Sequence, residues 1–190
     1  MVEEKIILQV LAEQKEYVGN YHPEQWVKRN EESLFEFDSP LAQVVIGVRR
    51  SGKSTLCHKV LLERGVNYGY ANFDDDRFAK LQTEDLNTVL SCVYQVYGTD
   101  IQYIFLDEIQ NVDGWHLFVN RLLRSNLHVV VTGSNAKLLS GELATHLTGR
   151  YNEIHLFPFS FREYCCFRRI DTRGITTKAE AEKKAAFIDY

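Results

Sequence analysis

One stretch, VVIGVRRSGKSTLCHKVLLERG, constrains the fold more than any other, because a glycine-bearing turn joins its apolar run to an amphipathic run. Residues 47–54 match the pattern G-x-x-x-x-G-K-[ST] in full. Such a turn between a strand and a helix points its backbone N–H groups at phosphate oxygens, and the helix adds the positive end of its dipole. The apolar strand before the turn and the helix after it favour a phosphate site over a chance glycine turn with a solvated lysine.

The residue types of this turn suit a nucleotide polyphosphate. Lys53 can reach the β- and γ-phosphates as a flexible point charge, and the Ser54 hydroxyl can ligate Mg²⁺. The side chains of Arg49 and Arg50 are interpreted as solvated, although they could add charge near the phosphates. The predicted nucleotide-binding residues are Gly47, Val48, Arg49, Arg50, Ser51, Gly52, Lys53, Ser54 and Thr55.

A second motif, YIFLDEIQNV, supplies the acids that a phosphate site needs. Its apolar residues deliver Asp107 and Glu108 to the carboxyl end of a buried strand, the edge of an open parallel sheet at which ligands bind. Asp107 is predicted to hold Mg²⁺ through a bound water, and Glu108 to activate the water that attacks the γ-phosphate. An acid directly after the Mg²⁺ aspartate favours hydrolysis by water over phosphoryl transfer to a small acceptor.

Strand-like runs alternate with helical runs, which predicts a parallel sheet with helices on both faces. The predicted strands are 43–46, 68–73, 103–106, 128–132 and 151–156. The predicted helices are 53–64, 84–97 with Thr83 as its N-cap, 115–124, 136–139, 142–147 and 161–167. Before the first strand, residues 3–17 are typical of an amphipathic helix, and HPEQWVKRN of a short second helix.

The amino-acid composition limits which classes of partner the protein is expected to have. The formal net charge is -4, so bulk charge does not indicate a nucleic-acid partner. The four cysteines form no C-x-x-C pair and no zinc spacing, which favours reduced thiols in a cytoplasmic protein. No apolar run approaches the roughly 20 residues that a membrane span requires, and we therefore expect no membrane partner.

With both motifs present, the chain resembles the AAA+-like P-loop ATPases of bacteria and archaea, above all those with an N-terminal nucleotide domain and a C-terminal domain of unknown function. The matching phrases are IGVRRSGKSTL, YANFDDDR, YIFLDEIQNVDGW, VVVTGSNAKLLS and LTGRYNEIHLFPFSFREY. The resemblance implies an α/β fold, the P-loop NTPase three-layer sandwich, whose parallel sheet has the strand order 5-1-4-3-2. The ligands that it implies are ATP and Mg²⁺.

The resemblance also gives roles to single positions. Ser134 or Asn135, with Thr132 as a further candidate, would sense the γ-phosphate, and a helix cap before AKLLS is an equal alternative. Arg150 resembles the arginine that AAA+ proteins send into a neighbouring subunit's site, with a surface salt bridge as the alternative. Asn72 could restrain the catalytic glutamate when no partner is bound, although a strand-end asparagine usually closes a turn.

The small helical lid that follows an AAA+ core is not recognisable in the sequence. We divide the chain into a helical lead-in at residues 1–35, an AAA+-like ATPase core at residues 36–164 and the start of a following helical region at residues 165–190. Because that last region ends without a closing strand or cap, we expect the chain to be the N-terminal part of something longer.

The leading prediction is an ATPase that binds Mg²⁺-ATP and hydrolyses it. Its predicted catalytic residues are Glu108, Lys53, Ser134 and Arg150, and its predicted metal ligands are Ser54 and Asp107. One alternative is a nucleotide-gated switch or scaffold with little intrinsic turnover, acting with nucleic acid or a protein partner. Another is an ATPase that acts on nucleic acid, for which the only hint is Arg121, Arg124, Arg168, Arg169 and Arg173. The expected partners of the chain are ATP and either further copies of itself or a protein partner.

Overall fold

The computed structural model describes residues 2–22, 26–134, 147 and 149–190. In this part of the chain, five strands form one sheet: β1 (Ala42–Gly47), β2 (Tyr68–Asn72), β3 (Tyr103–Asp107), β4 (His128–Ser134) and β5 (Tyr151–His155). Neighbouring strands are parallel, and their order is β2-β3-β4-β1-β5. This is the predicted order 5-1-4-3-2 seen from the other edge, so the predicted P-loop NTPase fold is confirmed.

Helices cover both faces of the sheet. They are α1 (Glu4–Gly19), α2 (Lys53–Arg64), α3 (Leu86–Tyr97), α4 (Trp115–Arg124), α5 (Phe161–Phe167) and α6 (Thr177–Asp189). Buried residues of α1, α3 and α4 form one apolar cluster with the sheet, and those of α2 form a second. The predicted helices at 136–139 and 142–147 lie outside the described residues, apart from Leu147.

Strand β1 shows why the chain folds into three layers. Its side chains alternate between the faces, so that Val44 and Ile46 join the cluster of α1, α3 and α4, whereas Val45 joins that of α2. All six residues of the strand are buried. A strand covered on both faces needs a continuous apolar run instead of an alternating one. The run VVI before the glycine meets this need.

Helix α1 contributes to the same core as the sheet. It packs on α3 and β2, and its side chains Ile7, Val10 and Leu11 are fully buried. At the edge of the sheet, Gln14 Nε2 donates to the carbonyl of Asn72 at 3.1 Å, and the Asn72 N–H donates to Gln14 Oε1 at 2.9 Å. This side chain therefore satisfies backbone groups at the end of an edge strand.

Two local predictions are wrong. A 3-10 turn at Thr83–Asp85 precedes α3, and the Thr83 hydroxyl donates to the carbonyl of Asp113 at 2.6 Å instead of capping the helix. In HPEQWVKRN, the described residues 26–29 are not helical, and a 3-10 turn begins only at Asn30. Arg29 has an extended backbone, and its side chain contacts distant segments of the chain. This conformation opposes helix formation there.

No helix in the described ranges has both the length and the hydrophobicity needed to cross a bilayer.

Candidate functional site

The turn between β1 and α2, residues 47–52, is called the glycine turn below. A Cβ on Gly47 would collide with the carbonyl oxygen of Leu156 and lie 2.9 Å from Ser51 Oγ, so a side chain does not fit there. Gly52 has a φ of 93°, and Arg50 has a φ of 65°. This left-handed backbone brings the turn back on itself and directs it into the first turn of α2, whose N–H groups lack helical partners.

Lys53 is the first residue of α2 and is only 5% exposed. Its Nζ donates to the carbonyl oxygens of Gly47 and Val48, both at 3.3 Å. The same atom lies 3.5 Å from Glu108 Oε1. A buried ammonium group needs acceptors, and here the glycine turn and Glu108 provide them. The positive charge is thereby held inside the turn.

Asp107 ends β3 and is 2% exposed. Its Oδ1 accepts hydrogen bonds from Ser54 Oγ at 3.0 Å and from the Thr132 hydroxyl, while its Oδ2 accepts one from the Tyr70 hydroxyl at 3.1 Å. Burial raises the pKa of Asp107 above its ordinary value, and these three hydrogen bonds oppose that rise. The carboxylate is therefore fixed in orientation and poorly hydrated.

Glu108 follows directly but has a different environment. Its φ of 54° is left-handed, its N–H donates to Thr132 Oγ1 at 3.0 Å, and its side chain is 23% exposed. Such backbone in a non-glycine residue costs on the order of 1–3 kcal/mol and is common at functional sites. Lys53 and the Gln110 amide contact its carboxylate. The turn in the backbone thus lets the second acid reach solvent while the first stays buried.

Ser54 and Asp107 fit a magnesium ion. Their oxygens are hard ligands and already lie within hydrogen-bond distance of each other. Mg²⁺ is usually held by one or two protein groups together with phosphate oxygens and water, so a hydroxyl and a carboxylate suffice. Elsewhere in the part of the chain that the structure covers, no group of three or more His, Cys, Asp or Glu residues could hold a metal ion.

A polar cavity of about 450 Å³ lies at this edge of the sheet. It is lined by Arg49, Arg50, Gly52, Lys53, Ser54, Thr55, Asn72, Asp74, Asp107 and Glu108. Of the other predicted nucleotide-binding residues, Gly47 ends β1, and Val48 and Ser51 belong to the glycine turn. The structure therefore brings the two motifs to one cavity.

A side cavity of about 230 Å³ shares Arg49, Asp74 and Glu108 with the polar cavity, and Ser134 also lines it. Ser134 is the last residue of β4 and pairs in register with Gly47 of β1. Thr132, two residues earlier, instead donates its hydroxyl to the Asp107 carboxylate and accepts from the backbone N–H of Glu108. Asn135 lies outside the described residues.

An aromatic cavity of about 300 Å³ shares Gly52 and Thr55 with the polar cavity, and it is lined as well by Trp26, Val27, Arg29, Leu56, Lys59, Phe159 and Phe167. In the sequence, Trp26 and the segment LFPFSFREY are typical of core packing. The positions of Trp26 and Phe159 on the cavity wall follow from tertiary contacts between segments that lie far apart in the chain.

Arg150 is not brought to this site within its own chain. It is exposed and precedes β5 at the amino edge of the sheet, where its carbonyl accepts from the Ala42 N–H at 3.0 Å. The glycine turn lies at the carboxyl edge, five strand steps of about 3.3 Å along β1. A contact between Arg150 and such a site would need a second copy of the chain.

Asn72 lines the polar cavity, and its Oδ1 accepts from the Asp74 N–H at 2.9 Å, which closes a turn.

The arginines considered for nucleic acid lie on two separate elements. Arg121 and Arg124 belong to α4, and Arg168, Arg169 and Arg173 follow α5. Arg121 hydrogen-bonds Asn87 at 3.0 Å.

Tyr70 and Gln110 contact the two acids, but neither is predicted as a site residue, although they stand in the phrases YANFDDDR and YIFLDEIQNVDGW. The alternation YGYAN places Tyr70 on the same strand face as Asn72, the partner in register of Asp107. Its hydrogen bond to that aspartate depends on the strand order. The contact of Gln110 with Glu108 depends on the left-handed backbone of the glutamate.

Residues 39–165 match the family model of AAA domains. An uncharacterized protein of Methanocaldococcus jannaschii is 35% identical over 149 residues, which cover 78% of this chain and 33% of that protein. An uncharacterized protein of Haemophilus influenzae is 39% identical over 153 residues, which cover 75% and 38%. The chain thus spans about a third of the length of these relatives. AMPPCP-bound DnaA from Aquifex aeolicus is similar at 17% identity with a TM-score of 0.49, over 81% of this chain and 56% of that one.

Proposed function

The chain belongs to the family of AAA domains, and we propose that it binds ATP with Mg²⁺ and hydrolyses the bond between the β- and γ-phosphates. One observation carries the proposal. A buried ammonium group, a hydroxyl and two acids from separate motifs surround a single polar cavity; they are Lys53, Ser54, Asp107 and Glu108.

The polyphosphate would lie against the glycine turn. The N–H groups at the start of α2 and the Lys53 ammonium supply positive charge there, and Lys53 exchanges its weak carbonyl contacts for phosphate oxygens. The base would enter the aromatic cavity, which begins at Gly52 and Thr55, where the polar cavity ends. Stacking of a base on an aromatic ring such as Trp26 or Phe159 contributes about 1–3 kcal/mol.

Ser54 and Asp107 would hold Mg²⁺, which when bound neutralises charge on the phosphates. The hydroxyls of Tyr70 and Thr132 keep the Asp107 carboxylate in one orientation, so little reorganisation is needed when the ion binds. Glu108 accepts a proton from the attacking water, because its carboxylate is partly exposed and faces the polar cavity.

The test is phosphate release from ATP by the purified protein, with Mg²⁺ and with EDTA, for the wild type and Lys53→Ala. The proposal expects release that requires Mg²⁺ and that Lys53→Ala abolishes. Release that is the same in both proteins, or independent of the metal, would contradict it. Tight ATP binding without release, either alone or with cell extract, would favour the nucleotide-gated switch instead.

A further inference from the structure

Arg29 precedes β1 and is a buried cation, 6% exposed. Its Nε donates to Glu163 Oε1 at 2.8 Å, its Nη2 to the carbonyl of Phe157 at 2.7 Å and its Nη1 to the carbonyl of Ser51 at 3.4 Å. These acceptors belong to α5, to the chain after β5 and to the glycine turn. A single guanidinium therefore joins the segment before β1 to the glycine turn and to the region after β5, which are far apart in sequence.

The carboxylate partner of Arg29 is itself fixed. Ser160 is the N-cap of α5, and Glu163 Oε2 accepts from both the N–H and the hydroxyl of Ser160 at 2.7 Å. Burial acts to raise the pKa of Glu163, but the hydrogen bonds from Ser160 and the charge of Arg29 lower it below its ordinary value. Glu163 is thus an ionised acceptor held in one place.

The chain around Arg29 is also fastened to α2. Glu32 Oε1 accepts from the Arg29 N–H at 2.6 Å, while Glu32 Oε2 accepts from Lys59 Nζ at 2.9 Å. Lys59 lies on α2, two turns after the glycine turn. The segment before β1 is consequently held at two points next to the candidate nucleotide site.

Arg29 also supports the wall of the aromatic cavity. Its Cζ lies 5.0 Å from the centre of the Phe159 ring, within cation–π distance. Both residues line the cavity together with Trp26 and with Gly52 and Thr55. Arg29 therefore contacts both the Phe159 ring and the glycine turn, two walls of the same cavity.

A lysine could not replace these contacts. Guanidinium is planar and carries five N–H donors in a fixed fork, whereas an ammonium group is a single point charge. Three acceptors in three directions suit the fork. Loss of the side chain would leave the Glu163 carboxylate and two carbonyls without this donor.

We propose that Arg29 is a positioning residue of the nucleotide site, which holds α5 and the chain after β5 against the glycine turn and so shapes the cavity that receives the base. The inference rests on the proposed function, since it requires a nucleotide in the turn. Arg29 acts on the aromatic cavity through Phe159, and its contact with the Ser51 carbonyl anchors it to the glycine turn. By linkage, whatever displaces α5 also weakens nucleotide binding, and nucleotide binding restrains α5.

The test compares Arg29→Met and Glu163→Gln with Arg64→Met as matched control. Arg64 also pairs with a carboxylate, that of Asp38, and also lies over an aromatic ring, but it is at the far end of α2. Calorimetry with Mg²⁺ measures affinity for ATP and for inorganic tripolyphosphate, which lacks the base. Thermal unfolding without ligand and turnover at saturating ATP are measured on the same samples.

We expect Arg29→Met to weaken ATP binding on the order of tenfold, with tripolyphosphate affinity and saturated turnover changed by no more than about twofold. Glu163→Gln should weaken ATP binding less than Arg29→Met does. The double variant should bind ATP no more weakly than Arg29→Met alone, because Glu163 acts through Arg29. Arg64→Met binds both ligands as the wild type does.

The inference is overturned if folded Arg29→Met binds ATP as tightly as the wild type, or if it loses both ligands equally, which indicates a general structural role. If Arg29→Met does not fold, the affinities of Glu163→Gln for ATP and tripolyphosphate test the inference by the same criteria. If the wild type binds neither ligand, the proposed function fails together with the inference. If the wild type binds both and only the selective loss is missing, the inference alone fails.

Discussion

The hydroxyl of Ser54 lies 3.0 Å from Oδ1 of Asp107, although the two residues are 53 positions apart in the chain. The first lies in the first turn of α2, and the second ends β3. They meet because β1 and β3 flank β4 in one parallel sheet, so that the carboxyl ends of all three strands lie at the same edge. The two protein groups proposed to hold the metal are therefore assembled by the fold itself.

Glu108→Gln should separate binding from hydrolysis. The amide keeps the size of the side chain but cannot accept the proton of the attacking water, so we expect the rate of phosphate release to fall about 100-fold or more. ATP affinity, measured by calorimetry on the same sample, should remain close to that of the wild type. Equal rates for the variant and the wild type would remove Glu108 from its proposed role.

Tyr70→Phe should raise the Mg²⁺ concentration at which activity is half-maximal by several-fold, since it deletes one of the three hydrogen bonds that orient Asp107. The matched control is Tyr68→Phe, two residues earlier on β2, whose hydroxyl contacts His58 instead. A magnesium titration of ATP turnover checks this. An identical midpoint in Tyr70→Phe and Tyr68→Phe would refute the role of the Tyr70 hydroxyl.

Asp107→Asn should stabilise the protein at neutral pH while it weakens magnesium-dependent activity. Burial raises the pKa of Asp107 in the folded state, so the native protein prefers the protonated acid, and the charged form costs stability above that pKa. We expect a gain of about 1–2 kcal/mol in the free energy of unfolding.

This gain should shrink as the pH falls through the raised pKa towards the ordinary value of 3.8, because the wild-type acid is then neutral too. Urea unfolding at a series of pH values measures it, with the exposed Asp38→Asn as control for loss of one charge. An Asp107→Asn protein that is less stable than the wild type at neutral pH would contradict the prediction.

His58 should make the protein sensitive to acid. It is fully buried beside Tyr68, and burial lowers its pKa from 6.5 to about 3. The unfolded chain therefore binds a proton that the native state does not, and stability is lost as the pH falls from 6.5 towards about 3. The slope is at most about 1.4 kcal/mol per pH unit.

His58→Leu should remove this slope, as measured by urea unfolding across that pH range, whereas a change of the half-exposed His155 to Gln should leave it in place. If the variant and the wild type lose stability in parallel, the acid sensitivity arises from other groups.

The meeting of the two motifs at one edge of the sheet could be predicted from the sequence, because the apolar runs before Gly47 and Asp107 lead directly into the phosphate-binding and acidic motifs. The strand order is implied by the resemblance to AAA+-like P-loop ATPases. The pattern of apolar residues within each strand indicates which of its faces are buried. Nothing comparable marks Thr83, whose hydroxyl is taken by the carbonyl of Asp113 from another loop. At this position, a tertiary hydrogen bond takes the place of the local helix cap that the sequence predicts.

Arg29 was invisible in the sequence for the same physical reason. Its partners Ser51, Phe157 and Glu163 lie on three segments, and the nearest is 22 residues away. Only the packed structure shows that Trp26 and Arg29, in a segment with the composition of a short helix, supply a wall of the aromatic cavity. The proposed phosphate end of the site is thus encoded in sequence motifs, and the proposed base end in tertiary contacts.

Calorimetry of ATP binding in the presence of Mg²⁺, with the wild type and Lys53→Ala side by side, shows whether the glycine turn binds a nucleotide. We expect one nucleotide bound per wild-type chain and little or no binding to Lys53→Ala, with both proteins folded by circular dichroism. Folded wild-type protein that takes up neither ATP nor GTP under these conditions would contradict this expectation.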